Sequence, residues 1–385
     1  MPTVTVTSVV IIGAGPAGLA VAQLLANRGV TSVVLDHRTR DQIENTHRAG
    51  ILDAHSVALL GSEVSTRYQR DGYEQTGFVI RVNGVDHRID VAELTGASLW
   101  LYPQTDVFID LADACERTGV VVHFGVRDLT TDRGPTVRFV TADGQSHRVE
   151  ANYLVGADGA HSMCRALIGD RRAQHWGYPL AWVGVLCEAP RTCTERLHAT
   201  SAEGLALISP RSAAIQRIYL QCAVEDTLTD WPDARIWEAV AARVGPGVEV
   251  PRGPIFERTL VSFTGFAQQS LWHDRVVLVG DAAHLTPPTG SRGLNLALAD
   301  AGLLAAHLVT AVRSGDPAPL ARYADAASAR AWRAQRFSHW LTLLLHAHPG
   351  DVLRLPELER VLGDPTARTA LAQAYAGWPT TELSL

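Results

Sequence analysis

The stretch with the most binding chemistry in this chain runs from Arg275 to Asp300. It begins with a short apolar run that ends at Gly280-Asp281, which predicts a buried strand followed by a turn. A loop rich in Gly and Pro then leads to a helix that starts near Leu294. A carboxylate after a strand can accept hydrogen bonds from sugar hydroxyls, and the free amides at a helix start favour negative charge. The stretch therefore indicates a site for an oxygen-rich ligand, although a plain strand–loop–helix connection has the same pattern.

A second glycine-rich turn lies near the N-terminus, between two predicted strands. Gly13, Gly15 and Gly18 follow an apolar run in the spacing GxGxxG, and a helix and a second strand ending at Asp36 come next. In this context the first glycine allows a tight turn and the second lets the backbone approach a pyrophosphate. The third lets the helix pack against the strand, and the acid binds a ribose hydroxyl. The pattern predicts dinucleotide binding and leaves FAD and NAD open.

Composition limits the class of protein. The chain has 385 residues, 46% hydrophobic and 19% charged, which indicates a soluble globular protein long enough for two packed domains. A net charge of −6 without any basic run argues against a nucleic-acid partner. The five cysteines form no CxxC pair, which favours reduced thiols in a cytoplasm over disulfides or a zinc site. We expect neither a membrane helix nor a signal peptide, because no long apolar run and no basic leader is seen.

Hydrophobic periodicity predicts an α/β fold whose dinucleotide-binding domain is interrupted by a β-rich domain. The first domain is expected to comprise residues 1–75, 101–175 and 267–300, and the second residues 76–100 and 176–266, with one helix near 233–243. Residues 301–385 are expected to be a helical region, with Asp364 as the N-cap of its last helix.

Three motifs together resemble those of a known family. They are GAGPAG from Gly13, GADGAHS from Gly156 and GDAAHLTPPTGSRGLNLALAD from Gly280, and they resemble the FAD-dependent aromatic hydroxylases, or group A flavoprotein monooxygenases. THRAGIL, YPQTD, SPRSAAIQRIYLQ, AWRAQRFSHW and YAGWP follow the pattern of the 4-hydroxybenzoate branch in order, so the resemblance covers essentially the whole chain. It implies an FAD-binding Rossmann-like domain with an inserted antiparallel β-sheet substrate domain and C-terminal helices.

The resemblance assigns cofactor contacts to positions spread along the chain. The implied FAD contacts are Gly13, Gly15, Gly18, Asp36, Arg48, Gln104, Asp158, Asp281, and the backbone amides of Leu294 and Asn295. The last two amides, at a helix N-terminus, are expected to stabilise negative charge on the reduced flavin. NADPH or NADH is the implied reductant, with His161 and Arg38 as candidate contacts, and the choice between the two stays open. No metal is expected.

The resemblance also assigns a substrate site. Ser209, Arg211 and Tyr219 are implied to bind a substrate carboxylate, which suits a buried guanidinium because it donates two charge-assisted hydrogen bonds. Arg217 is implied to approach the flavin and the substrate, and Pro288 to place its carbonyl near the substrate. Without the resemblance, the residues alone favour exposed strand positions with ordinary salt bridges.

The phenol end of the implied site departs from the family pattern. His198 stands where the family has Tyr, Gln75 stands where it has the relay His, and Tyr375 retains the second relay Tyr. We expect His198 to accept a proton near neutral pH, whereas Gln75 cannot titrate. Since His is smaller than Tyr, it leaves room for a ring substituent. This suggests an amino-substituted acid such as 3-amino-4-hydroxybenzoate, with plain 4-hydroxybenzoate as the alternative.

The function that the resemblance implies is an FAD-dependent monooxygenase that consumes NAD(P)H and O₂. It would hydroxylate the ring of a 4-hydroxybenzoate-type acid through a flavin C4a-hydroperoxide, as a cytoplasmic homodimer. A plain dehydrogenase has no use for the second and third motifs, and the Trp-x-Trp-x-Ile-Pro segment of flavin halogenases does not occur. A non-catalytic flavin-binding regulator is the alternative from another class, although it does not need Arg211, Tyr219 and Tyr375 together.

Overall fold

The computed structural model describes residues 2–46, 50–131, 134–168 and 172–378, in which strands and helices alternate. The strands are β1 (Thr3–Ile12), β2 (Ser32–Asp36), β3 (Ile51–Leu52), β4 (Tyr73–Gln75), β5 (Gly77–Val82), β6 (Val85–Asp90), β7 (Leu99–Leu101), β8 (Val121–Phe124), β9 (Arg127–Thr131), β10 (Thr136–Val140), β11 (Ser146–Gly156), β12 (Ala173–Glu188), β13 (Arg196–Ser201), β14 (Gly204–Pro210), β15 (Ile215–Cys222), β16 (Ile255–Gln268), β17 (Trp272–His273), β18 (Val276–Leu278) and β19 (His284–Leu285). The helices are α1 (Pro16–Ala26), α2 (Arg40–Glu44), α3 (Ala54–Glu63), α4 (Tyr68–Asp71), α5 (Val91–Thr95), α6 (Gln104–Arg117), α7 (Asp233–Val244), α8 (Gly293–Ser314), α9 (Pro319–Leu345), α10 (Arg354–Gly363) and α11 (Pro365–Ala376).

The first sheet carries the three glycine-rich turns at one edge. Its strand order is β17-β18-β11-β1-β2-β8, and β10 and β9 extend it from β11. The four central pairs are parallel, and Ile12 lies opposite both Leu35 and Gly156, while Gly156 lies opposite Leu278. Because the carboxyl ends of parallel strands meet at the same edge, the turns that follow β1, β2, β11 and β18 lie side by side.

Helix α8 belongs to the core of this region. It is long and apolar enough to cross a membrane by length and composition, a feature that the sequence reading did not single out. However, 72% of its most apolar window is buried, and it packs between α1 and α9. A core helix of a globular protein has the same properties, so its hydropathy reflects packing against the first sheet.

The second sheet is largely antiparallel and forms the wall on which the predicted substrate residues lie. Its order is β19-β16-β12-β15-β14-β13-β5-β6, with β13 and β5 as the single parallel pair. Helix α7 contributes Ile236, Trp237 and Val240 to the core on one face. Helices α9, α10 and α11 cover the other face, where Phe78, Leu205 and Tyr375 share a core. Both faces of this sheet are therefore covered, although the alternating sequence pattern of its strands is that of a sheet with one exposed face.

Most predicted elements are confirmed at the level of single helices. The helix near 233–243, the helical region after residue 300 and its last helix are present, and the Asp364 carboxylate accepts the Thr366 amide at 2.9 Å as an N-cap. Helix α10 was not predicted, because it is short and has no side-chain N-cap. The predicted domain boundaries stay a prediction, although the two large sheets alternate along the chain at similar places.

The C-terminal helices are fastened to the second sheet by a buried arginine, which gives a test of this packing. Arg354 of α10 donates to the Thr200 hydroxyl at 2.6 Å and to the Ser201 carbonyl at 2.7 Å, both in β13. We expect Arg354→Ala to lower the free energy of unfolding by about 2–3 kcal/mol, because two buried acceptors lose a charged donor. Urea denaturation measures this change. The matched control is Arg360→Ala, which removes an exposed Arg that pairs only with Glu357 of its own helix, and an equal loss there would contradict the prediction.

Candidate active site

A cavity of about 950 Å³ connects the glycine-rich edge of the first sheet to the wall of the second sheet. Many of the residues predicted from sequence line it: Gly13, Gly15, Asp36, Arg38, Gln104, Asp158, His161, Ser209, Arg211, Arg217, Tyr219, Asp281, Pro288 and Leu294. Gly18, Gln75, His198, Asn295 and Tyr375 are not among its lining residues. Arg48 lies outside the described residues. The predicted cofactor and substrate positions thus adjoin one continuous space.

The three fingerprint glycines are required for different physical reasons. Gly13 has φ +108°, and a Cβ there would lie 2.1 Å from the Ala157 carbonyl oxygen. A Cβ on Gly18 would lie 2.0 Å from the Gly13 carbonyl oxygen, so helix α1 packs directly on the turn. At Gly15 a Cβ would meet nothing within 4 Å, and this residue lines the cavity. Gly13 and Gly18 therefore serve packing, whereas Gly15 leaves space at the start of α1 for a ligand.

The acid after β2 is already engaged by a neighbouring cation. The buried Asp36 carboxylate accepts the Ala14 amide at 2.8 Å and the Arg38 amide at 2.8 Å. Its oxygens also accept from Arg38 Nε at 3.2 Å and Nη2 at 3.1 Å. The Arg38 guanidinium is therefore bound at the Asp36 end of the cavity, which is the predicted ADP end. His161, the other predicted nicotinamide contact, is an exposed residue in the turn after Asp158.

The second motif is braced by its own acid and by an arginine that the sequence reading missed. Asp158 accepts the Ser162 hydroxyl at 2.6 Å and the Met163 amide at 2.7 Å, so it caps the following 3₁₀ turn. Arg165, in that turn, donates to the carbonyls of Gly159, Ala160 and Ala282. It thereby joins the second motif to the third, which contains Ala282. Its position inside the short helical segment after GADGAHS was the only local signal for this role.

The start of helix α8 is fixed by the side chain of Asn295. Its Oδ1 accepts the Asp53 amide at 2.9 Å and the Ser56 hydroxyl at 2.7 Å. Its Nδ2 donates to the carbonyls of Ile51 and Ser291. The side chain therefore holds α3 against α8, while the backbone amides of Leu294 and Asn295 lie in the first turn, where no intrahelical acceptor is available. The predicted role of these amides toward a flavin is compatible with this placement.

The predicted substrate residues meet on strands β14 and β15. Ser209 lies opposite Arg217, and Leu207 lies opposite Tyr219. Arg217 Nη1 donates to the Tyr219 hydroxyl at 2.9 Å, so the proton of that hydroxyl is free to be donated elsewhere. Burial lowers the pKa of Arg211, and the charge of Arg217 lowers it further. Two neighbouring cations in a partly buried wall indicate a site for an anion.

A further cation, Arg196, lines the same wall and was missed by the sequence reading. It is 1% exposed, and its Cζ lies 5.6 Å from the Phe78 ring centroid and 5.2 Å from that of Tyr375. Its Nε and Nη2 have no hydrogen-bond partner among the described residues. An arginine on a strand is usually exposed, so no local pattern could have identified it.

The three positions of the expected proton relay carry no group that titrates near neutral pH. Burial, and then the charge of Arg196, lower the pKa of His198 to about 3, so the expectation that it accepts a proton near neutrality was wrong. Burial raises the pKa of Tyr375 to about 12, and its hydroxyl donates to the Thr289 carbonyl at 3.2 Å. Gln75 donates to the Thr194 carbonyl at 2.7 Å and accepts the Arg196 amide at 3.1 Å. Through these two hydrogen bonds, Gln75 holds the start of β13 in place.

Comparison with known proteins agrees with this geometry. The family model described as "FAD binding domain" matches residues 6–338. The chain is 33% identical over 387 residues to the p-hydroxybenzoate hydroxylase of Acinetobacter baylyi, covering 97% of this chain and 96% of the relative. It is 29% identical over 357 residues to the 3-amino-4-hydroxybenzoate 2-monooxygenase PtnB3 of Streptomyces platensis, covering 82% and 83%. The crystal structure of the p-nitrophenol 4-monooxygenase PnpA of Pseudomonas putida DLL-E4 superposes with TM-score 0.80 at 19% identity, over 98% of this chain and all of that one.

The chain therefore belongs to the FAD-binding-domain family of flavin-dependent aromatic monooxygenases. It is a flavin-dependent aromatic monooxygenase with the fold of the 4-hydroxybenzoate hydroxylases. The predicted resemblance, fold class and enzyme class are confirmed. The individual residue roles stay predictions.

The lining residues fit an FAD. The open space beside Gly15, at the N-terminus of α1, suits a pyrophosphate, and the first turn of α8 offers further free amides. Two buried polar atoms of the lining, Thr286 Oγ1 and Arg292 Nε, have no protein partner among the described residues. Such atoms are usually satisfied by a ligand or by water.

The different packing of two glycines makes a matched test of cofactor binding. We expect Gly15→Ala to leave the thermal unfolding temperature of the FAD-free protein unchanged and to weaken FAD binding about tenfold or more, because its Cβ enters the space of the pyrophosphate. Gly18→Ala should instead destabilise the protein by about 1–3 kcal/mol, because its Cβ collides with the Gly13 carbonyl. Thermal unfolding and flavin fluorescence quenching measure the two effects. An unaltered FAD affinity in Gly15→Ala would contradict the assignment.

Burial of His198 predicts a pH dependence of stability. The ordinary pKa of about 6.5 applies to the unfolded chain, whereas the folded value is about 3. Below pH 6.5, His198 is protonated in the unfolded chain but not in the folded chain. The free energy of unfolding therefore decreases as the pH falls toward 3. We expect His198→Gln to lose about 2 kcal/mol less stability than the wild type between pH 7 and pH 5. Urea unfolding at both pH values tests this, with His273→Gln, at an exposed site, as the control.

Proposed function

We propose that this monooxygenase hydroxylates the ring of a 4-hydroxybenzoate-type acid, using FAD, a nicotinamide reductant and O₂. The observation that carries the proposal is the convergence of Ser209, Arg211, Arg217 and Tyr219 on one wall of the cavity. This wall and the glycine-rich turns of the first sheet line the same cavity, so a substrate bound at the wall lies next to the predicted cofactor residues. The relatives at 33% and 29% identity bear names of enzymes that act on 4-hydroxybenzoate and on its 3-amino derivative.

A carboxylate is the chemistry that this wall accepts. Arg211 and the Tyr219 hydroxyl can donate to the two carboxylate oxygens, and Ser209 lies on the neighbouring strand position opposite Arg217. Burial strengthens these charge-assisted bonds, since water does not compete for the donors. The Trp182 ring lies 4.9 Å from the Tyr219 ring and also lines the cavity, which provides an aromatic surface for the substrate ring.

The residues of the chain bind, orient and shield the substrate, while FAD, reduced by NADPH or NADH, would activate O₂ so that one oxygen atom of O₂ is transferred to the ring and the other leaves as water. Arg211, Ser209 and Tyr219 hold the carboxylate and so fix where the ring lies in the cavity, which Pro288 also lines. The buried core beneath α9 to α11 excludes water from this end. The first-turn amides of α8 would stabilise the negative charge that develops on the reduced cofactor.

Two substrates follow from this proposal, and they differ at the ring position next to the phenol. We infer an amino-substituted acid such as 3-amino-4-hydroxybenzoate from the replacement of Tyr by His198, with plain 4-hydroxybenzoate as the alternative. His198 is not a lining residue, so the substituent would need space that neighbouring residues provide. We also propose a cytoplasmic homodimer, from the resemblance and from the five free cysteines.

Anaerobic reduction of the enzyme-bound flavin tests the proposed substrate class. We expect 4-hydroxybenzoate or its 3-amino derivative to accelerate flavin reduction by NADPH or NADH, followed on mixing with O₂ by a hydroxylated product. Arg211→Leu should raise the Kd for the accelerating acid about 100-fold, the loss of one charge-assisted pair.

The control ligand is 4-hydroxybenzaldehyde, which lacks the carboxylate. Its affinity should be nearly the same in the wild type and in Arg211→Leu, because this ligand has no negative charge with which Arg211 could pair. If Arg211→Leu weakens both ligands equally, Arg211 does not recognise the carboxylate. If no phenolic acid accelerates reduction, the proposed substrate class is wrong.

A further inference from the structure

The cavity wall contains a buried cation to which the proposed carboxylate site gives no role. Arg196, at the start of β13, is 1% exposed and lines the cavity, and its Nε and Nη2 have no hydrogen-bond partner among the described residues. A guanidinium carries five N–H donors and does not lose its charge in proteins. A buried charge without a partner is strongly unfavourable, so a ligand that supplies an anion is expected.

None of the charged groups around Arg196 serves as its counterion. Glu195 is bound to Arg88 at 2.8 Å, and the Tyr375 hydroxyl donates to a carbonyl, which requires it to be neutral. His198, two residues along the strand, is neutral, and Arg292, the N-cap residue of α8, is a further cation. Within the described part of the chain no ion pair joins Arg196 to a carboxylate.

The strand register places Arg196 beside Ser209 and two strands away from Arg217. In the antiparallel pairing of β13 with β14, Leu197 lies opposite Ile208, so the same register places Arg196 opposite Ser209. Ser209 in turn lies opposite Arg217 on β15. Arg196 and Arg217 are therefore two strand spacings apart, about 10 Å between their Cα atoms. The two cations flank Ser209 on one face of the sheet, and the Arg196 side chain stacks against Phe78 and Tyr375.

We propose that Arg196 binds the phenolate oxygen of the aromatic acid and stabilises the ionised phenol, so that the substrate is held by one cationic group at each end. This inference rests on the proposed function, in which the carboxylate occupies Ser209, Arg211 and Tyr219. The phenol releases its proton to solvent and the oxygen keeps the electron pair, which raises the electron density of the ring for attack by an electrophilic oxygen.

The residues around Arg196 at the phenol end agree with a role for its fixed charge. An opposite charge nearby lowers the pKa of an acid, because it favours the charged form. Gln75 has no titratable group, and its amide instead clamps the Thr194 carbonyl and the Arg196 amide. The strand start that carries the guanidinium is thereby held in place, as a group that acts by its charge requires.

The test is the ionisation of the bound ligand, followed in the holoenzyme by the ultraviolet absorption of 4-hydroxybenzoate as the pH is varied. In the wild type the phenol pKa of the bound acid should lie below that of the free acid. Arg196→Met should raise it by about one unit or more, while Arg196→Lys, which keeps the charge, should raise it less. If the bound and free acids have the same pKa in the wild type, the inference is wrong even without any variant.

Benzoate, which has the carboxylate and no phenol, is the control ligand. Its affinity should be unchanged in Arg196→Met, and a loss would show that Arg196 binds the carboxylate, which overturns the inference. Arg81→Met is the matched control for removal of a buried arginine, because Arg81 donates to the Val244 carbonyl at 2.8 Å, pairs with Asp86 and is not a lining residue. It should leave the pKa of the bound phenol unaltered.

The outcomes separate this inference from the proposed function. If the wild type binds and hydroxylates a 4-hydroxybenzoate but Arg196→Met leaves the phenol pKa unchanged, the inference fails and the proposed function stands. If the wild type binds no 4-hydroxybenzoate, both fail.

Thermal unfolding gives an independent readout in the ligand-free protein. There Arg196→Met should raise the unfolding temperature, because an unpaired buried charge is replaced by an apolar chain, and Arg81→Met should lower it. A lower unfolding temperature in Arg196→Met would mean that Arg196 stabilises the fold itself, which contradicts its need for a ligand anion.

Discussion

A positive charge that is removed from water needs a negative partner, and this requirement distinguishes the two ends of the cavity. At the predicted ADP end the cation Arg38 is already paired with Asp36 within the protein. At the other end Arg211, Arg217 and Arg196 have no protein carboxylate paired with them in the described residues, and two of the three have unpaired nitrogens. The end of the cavity that carries these three arginines therefore favours a ligand that brings a negative charge, since such a ligand offsets the desolvation of the cations.

The fold makes this charge arrangement rigid. Strands β13, β14 and β15 set the spacing of Arg196, Ser209 and Arg217 through their ladder, and a strand cannot shift by one residue without turning each side chain to the opposite face. Helices α9 to α11 cover this face and turn an ordinary sheet surface into a buried wall. Arg354 fastens α10 to β13, so the cover and the wall are held together by the same strand that carries Arg196.

Local patterns predicted the parts of this structure that depend on backbone geometry. The spacing of Gly13 and Gly18 reflects contacts of about 2 Å that any Cβ would make, and Asp364 caps a helix through its own neighbours. The missed features depend on contacts between distant segments. Arg196 is buried because helices more than 100 residues away cover its strand, and the same burial lowers the pKa of His198 to about 3. Resemblance supplied the positions of the substrate residues, but not the charge state of the site.

The coupling between Arg196 and His198 suggests how the phenol end works without a titrating relay. The charge of Arg196 is the second cause, after burial, of the low pKa of His198, so the two side chains cannot both carry a proton at neutral pH. Burial, the larger cause, lowers the pKa of His198 independently of the charge of Arg196. A neutral imidazole beside a phenolate does not compete with Arg196 for the negative charge. In the arrangement that we propose, the fixed charge of Arg196 acts on the phenolate oxygen and governs the ionisation of the phenol.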